Sequence, residues 1–75
     1  MSHGLPDYVK KISAITIRLS ELCADGEQLD FSEDVLKMGL LAVAACEGYI
    51  VLSQEGLKAI QSQESVFVEL DSEYE

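Results

Sequence analysis

Positive charge and catalytic nitrogen are what this chain has least of. In 75 residues there are five lysines and arginines together and one histidine, His3. With that histidine in an opening segment expected to be loose, no Ser–His or Cys–His pair is expected, nor nucleophilic catalysis of that kind. The two cysteines, Cys23 and Cys46, lie far apart in apolar surroundings and lack CxxC spacing. Neither a disulfide framework nor a zinc site is expected from them. They read as buried free thiols of a reducing compartment. Long apolar runs are also missing. The most apolar stretch, Val35–Leu52, is interrupted by Lys37, Glu47 and Gly48 before it reaches the roughly 20 residues of a membrane span.

Smaller absences narrow the chemistry further. The opening MSHGLPDYVKK has no apolar h-region, so no secretory leader is expected and the location reads as cytoplasmic. Gly48 and Gly56 are isolated, which leaves no phosphate-binding loop. The segment Asp25-Gly26-Glu27-Gln28-Leu29-Asp30 lacks the acidic alternation and terminal glutamate of an EF-hand. His3 behind a free amino terminus could grip a square-planar copper or nickel ion, a far weaker reading than a plain terminal histidine. No cofactor and no metal are expected, and the chain reads as non-enzymatic.

Acidity is what it has in excess. Fourteen aspartates and glutamates give a formal charge of −9, while 48% of the residues are hydrophobic. That apolar share is enough for one compact core, so a single domain over residues 1–75 is expected. The acids fall in two groups. Asp25, Glu27, Asp30, Glu33 and Asp34 lie in a stretch free of basic residues. Glu64, Glu69, Asp71, Glu73 and Glu75 follow the last lysine. Such a surface repels nucleic acid and attracts cationic protein surfaces. These ten residues are the candidate partner-binding set, against the plainer reading of a solubilising exterior.

The hydrophobic pattern predicts mixed α and β structure. Pro6 suits a helix start, and Tyr8, Ile12, Ile15, Leu19 and Leu22 recur at steps of three and four along one helical face. Asp25-Gly26 ends that helix. A second begins near Glu33, capped by Asp30 or Ser32, and is apolar nearly all round, which predicts a buried central helix. Gly48 stops it, and Tyr49-Ile50-Val51-Leu52 reads as a short strand. Ser53 caps a short helix, Gln54 to about Gln61. Residues 65–71 then alternate, with Val66, Val68 and Leu70 on one side, as in a half-buried strand that pairs with 49–52. Residues 1–5 and 72–75 read as flexible ends. The expectation is an α+β fold of two main helices, a short helix and a two-stranded antiparallel sheet.

The run GYIVLSQEGLKAI, residues 48–60, resembles the closing part of winged-helix domains through Gly48, Tyr49, Ile50, Leu52, Ser53 and Gly56. The resemblance implies a winged-helix-like scaffold. The charge argues against DNA binding on it, because phosphate contacts need lysine and arginine. Duplex DNA presents about one negative charge per 1.7 Å of axis, and carboxylates three or four residues apart on a helix lie roughly 5–6 Å apart. Asp30, Glu33 and Asp34 have that spacing. On a strand, Glu69, Asp71, Glu73 and Glu75 would form a stripe about 20 Å long. In size, charge and lack of chemistry the chain is similar to small phage-encoded inhibitors of the anti-CRISPR and anti-restriction type. That likeness implies an inhibitor that mimics DNA charge toward a basic nucleic-acid-binding protein, without touching nucleic acid or membrane. The alternative expectation is a winged-helix-like regulatory subunit that forms a homodimer through residues 35–46, its acidity serving solubility.

Overall fold

The computed structural model describes residues 4–74. Among these residues the regular structure is helical throughout: α1 (Asp7–Ala24), α2 (Glu33–Cys46), α3 (Gln54–Ser62) and α4 (Glu64–Glu73), with α3 and α4 separated only by Gln63. They form a rod with extents of 38 × 20 × 18 Å. The histidine at position 3 and Glu75 lie outside the described residues.

Helix α1 follows its apolar stripe. Val9, Ile12, Ile15 and Leu19 are buried, and Tyr8 and Leu22 are half-buried beside them. Pro6 precedes the first helical residue, and its carbonyl accepts from the amides of Val9 and Lys10, so the missing proline N–H costs nothing there. Gly26, at φ 100°, takes the left-handed conformation that closes the helix. Ser32, rather than Asp30, caps α2: its hydroxyl accepts from the Val35 amide at 3.3 Å. Gly48, at φ 84°, ends α2. The Tyr49 amide reaches back to the Ala44 carbonyl at 2.8 Å. Ser53 caps α3 by accepting from the Gly56 amide at 3.1 Å.

Two registers fix how the helices lie. Lys11 Nζ meets Glu64 Oε1 at 3.7 Å, and Arg18 Nε meets Asp71 Oδ1 at 3.4 Å. Both steps are seven residues in the same direction, so α4 runs parallel to α1. The Cys46 thiol points at the Val9 carbonyl, 3.9 Å away, while Gly39 passes against Thr16. These steps are also seven residues, in opposite directions, so α2 runs antiparallel to α1. Phe67 of α4 and Ile60 of α3, both fully buried, fill the space between.

The α+β expectation is overturned. No strand forms among the described residues, and without wing strands the chain is not winged-helix-like. Residues 65–70 lie inside α4, because Phe67, Leu70 and Tyr74 also fit a helical face and burying Phe67 outweighs the period-two alternation. Residues 49–52 stay non-helical and unpaired in a sheet, with Ile50 and Leu52 packed toward the core and Val51 98% exposed. Ser72 and Glu73, expected in a loose tail, belong to α4. Helix α2 is not enclosed: Val35, Gly39, Ala42 and Ala45 are buried, while Leu36, Leu40 and Leu41 are exposed. Small residues make its close-contact side, so the large ones face outward. Cys23 and Cys46 are both exposed free thiols, against the burial expected of them.

Candidate functional site

Carboxylates of three segments lie toward the same end of the rod, because α1 and α4 run toward that end and α2 runs away from it. Carrying the two registers along the chain puts Glu73 level with Ser20, and Asp34 level with Glu21. Asp25, Glu27 and Asp30 lie beyond, in the loop between α1 and α2, and Glu33 opens α2 beside Asp34. Their positions at the start of α2 also have a local cause. Acidic side chains favour the positive end of the helix dipole.

Exposure and pairing then sort these side chains. Asp25, Glu27, Asp30, Glu33, Asp34 and Glu73 are exposed. Arg18 takes Asp71, and Lys37 takes Glu33 at 3.7 Å. Among the described residues, Asp25, Glu27, Asp30, Asp34 and Glu73 enter no ion pair. Glu21, which is not among the ten candidate residues, joins them at this pole. Its place in the last turn of α1, just before Asp25, was the available signal.

Three of the expected residues, Glu64, Glu69 and Asp71, do not join the pole. Glu64 sits seven residues back along α4, level with Lys11, and Glu69 lies mid-rod, level with Thr16. Both line an open groove of about 520 Å³ with Gln61, Ser65 and Val68. The continuous stripe expected of Glu69, Asp71 and Glu73 does not exist. A strand would point them one way, whereas a helix turns about 200° over two residues. Asp71 therefore turns inward to Arg18, away from Glu69 and Glu73.

The geometry limits the chemistry. No group of three His, Cys, Asp or Glu side chains among the described residues converges closely enough to hold a metal ion. The carboxylates are spread over a surface, and that arrangement meets another surface better than it meets a single cation. No described helix is long and apolar enough to cross a membrane. No protein-family model matches the chain, and no curated protein or solved structure matches it either.

Proposed function

We propose that this protein is a non-enzymatic acidic binder that occupies the cationic surface of a nucleic-acid-binding protein and competes there with DNA. The observation that supports it is the placement of Glu21, Asp25, Glu27, Asp30, Asp34 and Glu73 toward one end of the rod. A purely solubilising exterior needs no such polarity. At this end the spaced negative charges stand in for phosphates, and the arginine and lysine contacts that supply affinity for DNA supply it here. Association is fast and weakens with salt, as for other encounters steered by charge.

Capture of proteins from the native cell on the immobilised protein tests this reading, with a short DNA duplex as the eluent. The expected result is retention of a nucleic-acid-binding protein that the duplex displaces. Replacing Asp25, Asp30, Asp34 and Glu73 by lysine removes that retention while the circular dichroism spectrum stays helical. Retention that survives those replacements, or a captured protein that the duplex leaves in place, defeats the proposal.

A further inference from the structure

A second feature of the surface lies outside the acidic pole. On α1, Thr16 faces Gly39, and Ile17, the next residue, is 44% exposed. On α2, Leu36 and Leu40 are 43% and 56% exposed, one turn apart and on either side of the level where Ile17 sits. Passing round each helix from its core side, one crosses the α1–α2 contact before reaching these three residues. They therefore share the outer flank of the α1–α2 pair, turned away from α3 and α4. Half of the exposed large apolar side chains of the described residues are gathered there.

Charge brackets this patch. At about 100° per residue, Glu33, Leu36, Leu40 and Glu47 fall within about 60° of one another on α2. The stripe thus has leucines in its middle and a carboxylate at each end. Lys37 is drawn onto Glu33, and Lys10 lies toward the Glu47 end. A second copy of the chain fits poorly. In an antiparallel pairing of α2 with itself centred on Leu40, Glu33 stands seven residues one way and Glu47 seven the other, so each meets the other's counterpart. Parallel pairing sets each glutamate against its own copy. Each molecule also brings a formal charge of −9.

We infer that the exposed apolar patch of Ile17, Leu36 and Leu40 receives a cationic amphipathic helix of the partner, its apolar stripe on these three side chains and its lysines or arginines on Glu47 and, in exchange with Lys37, on Glu33. This rests on the proposed binding to a basic partner and names the element of that partner which docks. The acidic pole supplies charge, while the apolar patch adds a contact that salt does not screen.

The test uses an 18-residue peptide with leucine at helical spacing and lysine elsewhere. A second peptide keeps the lysines but carries serine for leucine. Titration of the whole protein, followed by amide chemical shifts, should show the leucine peptide binding at least tenfold more tightly. The shifts should centre on Ile17, Leu36 and Leu40. The double variant Leu36→Ser/Leu40→Ser should erase the difference between the peptides, and Ile17→Ser should reduce it. All these side chains are exposed, so the variants should keep their helical spectrum. Equal affinity for the two peptides, or a preference unchanged in the double variant, overturns docking on the patch while leaving the acidic-pole reading standing. Sedimentation of the free protein as a dimer that the double variant abolishes also overturns it, in favour of a second copy as occupant. Failure of the serine peptide to bind at all counts against the acidic pole and not against the patch.

Discussion

Gly39 crosses Thr16 so closely that a β-carbon on Gly39 would stand 2.6 Å from the threonine Oγ1 and 3.0 Å from Phe67 Cζ. The glycine is what lets α2 sit against α1 with Phe67 between them. Gly39→Ala therefore forces the stiff Thr16 side chain or the Phe67 ring to move. Overpacking of this kind costs about 1–3 kcal/mol, offset by about 1 kcal/mol of helix propensity. The expected outcome is a net loss in urea unfolding. The Thr16 hydroxyl is buried with no hydrogen-bond partner among the described residues, so Thr16→Ala removes both the clash and an unsatisfied group. In the double variant most of the loss should return. If the two effects simply add, the contact has been misjudged.

The same substitution at Gly56 should act in the opposite direction. There a β-carbon meets only ordinary contacts, with Ser53 Oγ at 3.5 Å and Leu52 Cδ2 at 3.6 Å, inside the first turns of α3. Gly56→Ala should raise stability by about 1 kcal/mol through backbone entropy alone. A lower melting temperature for this variant would show that α3 starts differently from the geometry set by the Ser53 cap.

These two glycines show how far the sequence could be read. The stripe of α1, the Ser53 cap and the stops at Gly26 and Gly48 are local signals, and each stands in the fold as expected. Residues 65–70 were illegible because Val66-Phe67-Val68-Glu69-Leu70 satisfies two periods at once. Only the tertiary space around Phe67 decides between them. The acidic excess was plain in composition, but its gathering at one pole depends on α1 and α4 running parallel. The one hint of that was the matching seven-residue interval of Lys11 to Arg18 and Glu64 to Asp71. In α2, Gly39, Ala42 and Ala45 could have marked the close-contact side, which would have left Leu36 and Leu40 outside.

Alanine replacements at Phe67 and Val68 separate the two periods by experiment. A strand facing the core with Val66, Val68 and Leu70 would leave Phe67 dispensable. In the helix Phe67 is fully buried and Val68 only half-buried. Phe67→Ala should cost about 3–5 kcal/mol, a large part of the roughly 4–11 kcal/mol typical for this length. Val68→Ala should change stability by less than about 1 kcal/mol. The reverse ranking in chemical denaturation would restore the strand.

The parallel register of α1 and α4 carries the acidic pole, and charge exchange across Arg18 and Asp71 tests it directly. The pair is partly exposed, with side-chain exposures of 43% and 25%, so the interaction itself contributes at most about 1 kcal/mol. Sign matters more than size here. Arg18→Asp sets two carboxylates against each other on neighbouring helices, and Asp71→Arg sets two guanidinium groups together. Each single variant should melt below the native protein, by more at low salt than at high salt because screening weakens the repulsion. The double exchange restores opposite charges at the same separation and should recover most of the loss. The same recovery is expected for Lys11→Glu with Glu64→Lys, seven residues back on both helices. An antiparallel α4 would bring Asp71 toward Lys11 instead. Rescue by the crossed combination, Lys11→Asp with Asp71→Lys, would therefore reverse the helix and move Glu73 away from Asp34 and the other end-group carboxylates.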